Sequence, residues 1–152
     1  EHDSDAAIAV LNEAAEWYRE FLAAEHQREQ EMTADEFDDE AERMTWYGAF
    51  HDGLLAGVAG LEPAGEAVLF RHAYVLPSKQ HTGVGTLLLE HMERSAAGSY
   101  IIVGTYEKNV KARRMLEKHG YRLTADSESL LRQYYKIPED RLVTSVVYEK
   151  KL

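Results

Sequence analysis

The sequence predicts a mixed α/β sandwich, in which one sheet carries helices on both faces. Two observations predict this class. The hydrophobic pattern has a helical period up to Thr45 and an extended one after it. Further on, a strand, a helix and a second strand follow one another over residues 67–105, which makes a βαβ unit with parallel strands. At 152 residues, the chain is expected to fold as one domain over 1–152.

Two helices are expected before Thr45. Apolar residues recur at helical spacing over residues 4–26, which predicts an amphipathic helix with one broad apolar face. Thr33, with Glu36 three residues later, forms a capping-box pattern. It predicts a second, very acidic helix over 33–44.

Three strands are expected next. Asp52-Gly53 is a strong hairpin signal, and it separates apolar runs at 46–51 and 54–61. A second turn then leads into a strand at 67–75, which Pro77 ends. The remainder of the chain alternates between helices and strands. They are a helix after the loop at 80–85, a buried strand at 100–105, a helix at 109–119, a strand starting at 121, a short helix at 127–135 and a last strand at 141–149.

Charge is distributed unevenly along the chain. Residues 1–42 hold 15 of the 27 acidic residues and 2 of the 17 basic ones, so their net charge is −13 against −10 for the whole chain. This balance argues against nucleic-acid binding, which needs clustered Lys and Arg. It is typical of a solvated helical face or of adaptation to high salt, or else of a segment that attracts a cationic substrate.

Several classes of protein are excluded by what the sequence lacks. With no cysteine there is neither a disulfide nor a thiol nucleophile nor a Cys-based zinc site. Neither H-E-x-x-H nor G-x-S-x-G occurs, so no metal site is expected. No apolar run reaches membrane-span length, and the first ten residues are too acidic for a signal peptide. We expect a cytoplasmic protein that does not bind a membrane.

A glycine loop at Gln80 to Gly85 opens the helix that follows the third strand. Free backbone N–H groups at a helix N-terminus bind phosphate or another anion. The dinucleotide fingerprint G-x-G-x-x-G fails because Leu88 occupies its last position, and the P-loop pattern fails because no lysine follows either glycine.

The segment 75–85, with the pattern V-x-P-x-x-Q-x-x-G-x-G, resembles the pyrophosphate loop of the GNAT family of N-acetyltransferases. The segment 109–121, N-x-x-A-x-x-M-L-E-K-H-G-Y, is similar to a second block of that family. The resemblance extends over about residues 6–121 and implies the GNAT fold, a central mixed sheet with helices on both faces.

The resemblance also implies that acetyl-coenzyme A is the acyl donor and that no metal is needed. Backbone donors at Val75 are expected to polarise the thioester, and Asn109 either to bind the pantetheine arm or simply to cap a helix. The expected contacts are Tyr74, Val75, Gln80, His81, Thr82, Gly83, Val84, Gly85, Thr86 and Asn109.

The chain departs from the family pattern in its catalytic groups. Leu116 replaces the tyrosine that in many members protonates the departing thiolate, and Tyr106 is the nearest substitute unless it only walls the cleft. The positions that carry a base in some members are Leu69 and Arg71. His72 is adjacent, but alternation turns it to the opposite face, where it would pack in the core, unless a bulge intervenes. Tyr106 and His72 are therefore the catalytic candidates.

These features predict acetyl transfer from acetyl-coenzyme A directly to a primary amine on a small molecule or peptide. The alternative is an acyl-coenzyme A sensor that has lost catalysis. Tyr134 and Tyr135 are expected to pack or to line the acceptor side, and a homodimer built on the last strand would be ordinary for the fold. The chain begins at Glu1 without an initiator methionine, which leaves room for a further strand before it.

Overall fold

The structure, a computed structural model, describes residues 2–22, 24, 30–135 and 137–152. Its helices are α1 (His2–Tyr18), α2 (Ala34–Ala41), α3 (Val84–Ser95), α4 (Val110–Lys118), α5 (Ser127–Leu130) and α6 (Glu139–Leu142). Its strands are β1 (Thr45–His51), β2 (Leu54–Ala64), β3 (Ala67–Val75), β4 (Tyr100–Tyr106), β5 (Arg122–Leu123) and β6 (Ser145–Lys151). Short 3-10 turns follow α1 and β3, and a π-helical turn, Leu131–Tyr135, follows α5. Within these described ranges, no helix is both long and apolar enough to cross a membrane.

All six strands form one sheet in the order β1-β2-β3-β4-β6-β5. β3 and β4 run parallel, and every other neighbouring pair is antiparallel. The parallel pair is the predicted βαβ unit, with α3 as its crossover helix. The prediction of a mixed sheet with helices on both faces is confirmed.

One face of the sheet is covered by α3 and α4. Val84, Leu88, Leu89 and Met92 recur at helical spacing along α3 and are buried together with Leu116 of α4. They pack on a row of strand residues that includes Ala59, Leu61, Val68, Phe70, Ile101 and Val103.

The opposite face is covered by α1, α2 and the segment around α5. Val10 and Leu11 of α1 pack with Phe37 of α2 against Val58 of β2. Leu131, which follows α5, is buried in a separate cluster on strands β3, β4 and β6.

The two N-terminal helices are shorter than predicted. α1 ends at Tyr18, and Leu22 is already extended, while residues 25–29 lie outside the described part of the chain. The capping box of α2 is confirmed, since the Thr33 N–H donates to Glu36 Oε2 at 2.9 Å and the Glu36 N–H donates to Thr33 Oγ1 at 3.2 Å. The helix ends at Ala41, three residues before the predicted end.

The predicted start of the last strand is wrong. Residues 139–142 form α6, and β6 begins only at Ser145. Pro138 stands at the N-cap, and Glu139 and Asp140 lie in the first turn, where acidic side chains favour a helix. These signals outweigh the alternating apolar pattern that begins at Arg141.

The alternation predicted for β3 is broken by a bulge. Val58 of β2 is paired with Tyr74, but Gly60 is paired with Arg71, so β3 has one residue more than β2 between these pairs. His72 lies in the bulge with a φ of 50°.

The bulge places consecutive side chains on one face. Arg71 contacts Glu62, and His72 contacts Glu40 of α2 and stacks on Trp46 of β1, so both lie on the side that carries α1 and α2. The expectation from strict alternation, that His72 faces away from Arg71 and packs in the core, is therefore wrong, and the exception named with it, a bulge, is what the structure shows. From this point the alternation changes phase, and Tyr74 also faces α1, where it meets Tyr18.

Candidate active site

A cleft opens where the two parallel strands separate. β3 and β4 are paired only from Ala67 opposite Tyr100 to Phe70 opposite Val103. Beyond this point β3 continues along β2, and β4 continues along β6 to Tyr106. The gap between the carboxyl ends of the strands widens into a cleft of about 400 Å³.

Tyr135 holds the point at which the strands part. Its hydroxyl lies 3.1 Å from the carbonyl oxygen of Phe70 and 3.0 Å from that of Ile102, and it accepts a hydrogen bond from the Gly104 N–H at 3.3 Å. The phenol therefore replaces ladder bonds that β3 and β4 no longer make. Burial raises the pKa of Tyr135, so the hydroxyl stays protonated and able to donate. Of the two readings for Tyr134 and Tyr135, packing is the one the structure shows.

The glycine loop lies at the outer end of the cleft. Gly83 is the N-cap of α3 with a φ of 87°, and His81 has a φ of 65°. Gly83 is required there because any side chain is strained at this φ, even though a Cβ at this position would meet no atom within 4 Å. The left-handed residues turn the loop so that it runs directly into the N-terminus of α3.

Lys111 adds a cation to this end of the cleft. It lies in the first turn of α4, and its Nζ donates to Gln80 Oε1 at 2.8 Å and lies 3.2 Å from His81 Nε2. Lys111 was not among the residues predicted from the sequence, although its place two positions after Asn109 was a usable signal. An ammonium next to helix-terminal N–H groups makes the loop a stronger anion site.

Two further groups face the widening gap. The Leu76 N–H donates to the Ala56 carbonyl on β2 at 2.9 Å, so strand alternation directs the N–H and carbonyl of Val75 toward the edge that β4 has left. Asn109 is buried, and its Oδ1 caps α4 by accepting from the Ala112 N–H at 3.2 Å. The helix-cap reading of Asn109 is thus observed, and its side chain also lines the cleft.

Three tyrosines wall the inner end of the cleft. The rings of Tyr18 and Tyr74 meet edge to face at 5.1 Å, and Tyr106 lies 6.0 Å from the ring of Phe21. Burial and the neighbouring Tyr106 raise the pKa of Tyr18 to about 12. Burial also raises the pKa of Tyr74 and of Tyr106, and the charge of Arg141 opposes part of the rise at Tyr106. All three phenols are protonated at neutral pH.

His72 lines the cleft from the side of α2. Its Nε2 lies 2.6 Å from Oε2 of Glu40, and its ring stacks on the indole of Trp46 with centroids 5.4 Å apart. Burial acts to raise the pKa of Glu40, but the hydrogen bond with His72 and the charges of His72, Arg71 and Arg43 together hold it below its usual value. In the described ranges, His, Asp and Glu side chains form no group of three that could hold a metal ion.

Most of the predicted site residues lie around this one cleft: His72, Tyr74, Val75, Gln80, His81, Gly83, Gly85, Thr86, Tyr106 and Asn109. The other two predicted residues, Thr82 and Val84, are not among those that line the cleft. Val84 is buried in the core, and the Thr82 hydroxyl donates to the carbonyl of Lys79. Val84 therefore has only its backbone groups available to a ligand, and the hydroxyl proton of Thr82 is already donated within the loop. Glu40 was missed because nothing distinguishes it from its acidic neighbours until α2 packs beside the bulge.

Comparison with known proteins identifies the family. Residues 9–121 match the acetyltransferase (GNAT) family. A search among curated proteins found no match. The PaiA N-acetyltransferase of Thermoplasma acidophilum, solved in complex with coenzyme A, superposes with a TM-score of 0.70 at 19% identity, covering 99% of this chain and 94% of that one.

Two other solved structures give similar agreement. The ribosomal-protein-S18-alanine N-acetyltransferase of Escherichia coli has a TM-score of 0.67 at 16% identity, covering 99% of this chain and 88% of its own. An acetyltransferase of Bacillus subtilis, solved with coenzyme A, has a TM-score of 0.58 at 26% identity, covering 78% of this chain and 83% of that one. Since the family match spans more than half of the sequence and the solved structures share the fold, the chain belongs to the acetyltransferase (GNAT) family.

Proposed function

We propose that this protein transfers the acetyl group of acetyl-coenzyme A directly to a primary amine on a small molecule or peptide. The observation that carries the proposal is the cleft between β3 and β4, which ends in a glycine loop at the N-terminus of α3. The cleft contains an edge of β3 that pairs with no other described strand, and it also contains an anion site. A pantetheine arm can pair with the edge, and a pyrophosphate can bind at the anion site.

The residues present fit such a donor. The loop N–H groups from about His81 to Thr86, with the ammonium of Lys111, would hold the pyrophosphate. The exposed edge at Val75 would pair with the pantetheine arm. An N–H directed at the thioester oxygen stabilises the negative charge that develops there, by about 3 kcal/mol per donor.

The reaction requires one C–N bond to form and one C–S bond to break. The amine nitrogen attacks the thioester carbon, His72 accepts a proton from the amine, and the coenzyme A sulfur leaves as thiolate or takes a proton as it leaves. Tyr106 is protonated and lines the cleft, so it can supply that proton. Because a thiol is a tolerable leaving group, with a pKa of about 8.5, the leucine at 116 does not prevent the step.

The acceptor that we infer is a cationic amine. The inner wall of the cleft is aromatic, with Trp17, Tyr18, Tyr74 and Tyr106, and ring faces attract ammonium groups. The sequence segment 1–42, to which α1 and α2 belong, carries a net charge of −13. If the charge steers the amine, kcat/KM for a polyamine falls as ionic strength rises, and a flat salt dependence contradicts the steering.

Binding and turnover test the proposal separately. Isothermal titration of the unmodified protein with acetyl-coenzyme A should show binding. Gly83→Trp should abolish it, because a large side chain would occupy the loop that is proposed to hold the pyrophosphate. Gly65→Trp is the matched control: it is also a glycine with positive φ (66°) in open space, but it lies in the β2–β3 turn. Binding that is absent, or that both variants weaken equally, overturns the assignment of the loop.

Turnover distinguishes the enzyme from the alternative of an acyl-coenzyme A sensor, which Leu116 favours. Thiol release from acetyl-coenzyme A should be measured with a polyamine, an aminoglycoside, phenylethylamine and a lysine-containing peptide. Tight binding of the donor without thiol release for any acceptor would support the sensor. A cytoplasmic location, a single domain and a homodimer stay predictions of the sequence.

A further inference from the structure

Glu40 and His72 are in contact, and the proposed reaction assigns a role only to His72. His72 carries a side chain at a φ of 50°, in the left-handed region that side-chain-bearing residues rarely occupy. Such a conformation persists where surrounding contacts hold it. Here the contacts are the ring stack on Trp46 and the carboxylate of Glu40.

The contact involves one specific atom on each side. His72 Nε2 and Glu40 Oε2 form an ion-pair contact of 2.6 Å. Both atoms are buried, and neither makes a hydrogen bond of regular geometry to the described residues, so this contact is the one polar interaction that each of them has there. The two side chains are only 18% and 15% exposed. The imidazole therefore meets the carboxylate with Nε2, and Nδ1 is the ring nitrogen left for the cleft that His72 lines.

The charges around the pair keep Glu40 ionised. Its Oε1 lies 3.4 Å from Arg43 Nη2 and 3.8 Å from Arg71 Nη2. The carboxylate of Glu62 shares the same two guanidinium groups, at 3.3 Å from Arg43 and 2.7 Å from Arg71. Two carboxylates thus face two guanidiniums, and His72 is the fifth member of a network drawn from α2, the turn after it, β2 and β3. An ionised carboxylate only accepts hydrogen bonds, so the proton between the pair sits on Nε2.

We propose that Glu40 is a positioning residue for the base: it fixes the Nε2–H form of His72 and thereby presents the lone pair of Nδ1 to the acceptor amine. This inference rests on the proposed function. When the amine nitrogen bonds to the acetyl carbon, its proton passes to Nδ1. The imidazolium that forms keeps Nε2–H against the carboxylate and later returns the Nδ1 proton to the thiolate or to water.

The first test reads the hydrogen bond without turnover. In protein labelled with ¹⁵N on histidine, the Nε2 proton of His72 should appear as a downfield, slowly exchanging resonance, identified among seven histidines by its loss in His72→Gln. We expect it to vanish in both Glu40→Gln and Glu40→Ala. It should persist in Glu62→Gln, the matched control, because Glu62 pairs with the same two arginines as Glu40 and has no ion pair with His72. Absence from the unmodified protein, or persistence in both Glu40 variants, overturns the proposal.

The second test is kinetic, with acetyl-coenzyme A and whichever amine of the panel above is turned over fastest. Glu40→Gln should lower kcat about 10- to 100-fold, a part of what a general base contributes, and leave KM for acetyl-coenzyme A within about twofold. Glu40→Asp, which keeps the charge, should recover part of the loss, and Glu62→Gln should cost less than about threefold. Equal kcat values for Glu40→Gln and Glu62→Gln overturn the proposal. If the unmodified protein does not bind the donor, or turns over no acceptor, the proposed function is overturned instead. The resonance test would still report whether Glu40 holds the Nε2–H form of His72.

Discussion

The proposed donor side of the cleft is built mainly from one continuous stretch of chain, to which α4 adds Lys111, whereas the proposed acceptor side is assembled from residues far apart in sequence. On the donor side, the loop at 80–85 and the first turns of α3 and α4 present mainly backbone groups. On the acceptor side, α1, α2 and the bulge of β3 meet through side chains, such as Glu40 with His72, which are separated by more than 30 positions.

This difference separates two functions within one cleft. In the proposed function, backbone groups hold a donor of constant shape, and the position of these groups depends on a few glycines. Side chains define what reacts with that ligand, and they can be replaced without disturbing the loop. Variants on the donor side should therefore change the affinity for the donor, and variants on the acceptor side should change kcat. A variant that changes both would show that the two sides are not independent.

The largest effect is expected on the acceptor side, at His72. Replacing it by glutamine removes the proposed base, so kcat should fall by about 10²- to 10⁴-fold while the Kd for acetyl-coenzyme A stays unchanged. His91→Gln is the control, because that histidine lies exposed on α3 and contacts Tyr47 instead. Steady-state thiol release and titration calorimetry measure the two quantities. A loss of donor affinity in His72→Gln would show that the two sides are not separate.

A second large effect is expected where the sides meet, at Tyr135. The change to phenylalanine leaves the carbonyls of Phe70 and Ile102 and the Gly104 N–H without the hydroxyl, which should cost about 1–3 kcal/mol of unfolding free energy. Urea denaturation measures the loss. Tyr134→Phe removes the same group from the preceding residue and should cost less. Equal losses would mean that the hydroxyl does not hold the branch point.

The predictability of each side follows from how it is built. The loop, Asn109 and the parallel strands could be predicted because local patterns encode them: glycines at fixed spacing, a cap residue before a helix, and a βαβ order. Lys111 could be predicted in the same way, because it lies two positions after the cap residue Asn109.

The bulge at His72 could not be predicted in this way. Strict alternation gave the wrong face, because the extra residue in β3 depends on how β2 pairs with it and on the contacts of Glu40 and Trp46. Similarly, α6 has start signals at Pro138 and Glu139, but the alternating apolar pattern from Arg141 onward favours a strand over the same residues. Contacts between residues that are distant in the sequence, such as Glu40 and His72, cannot be predicted from local patterns, because glutamate and histidine occur at many other positions in the chain.

A smaller effect is expected on the donor side, at Lys111. Its ammonium is exposed, so its attraction for a pyrophosphate is screened, and Lys111→Ala should raise the Kd for coenzyme A about 3- to 10-fold at low salt. At saturating donor, kcat should not change. Lys118→Ala removes the same charge from the other end of α4 and should leave the Kd within about twofold. The ratio of the two Kd values should shrink as salt is added, and an effect on kcat would contradict the separation of the two sides.

The smallest effect is on acid stability, and it belongs to the acceptor side alone. Because the pKa of Glu40 is held below its usual value, its ionised form stabilises the folded state above the unfolded-state pKa of about 4.3, and the stabilisation is lost as pH falls through the folded-state pKa. The unfolding free energy of Glu40→Gln should thus lie below that of the unmodified protein at neutral pH, and the two should converge in acid. Denaturation at a series of pH values measures this. A difference that stays constant down to low pH would mean that Glu40 contributes to stability by its shape and not by its charge.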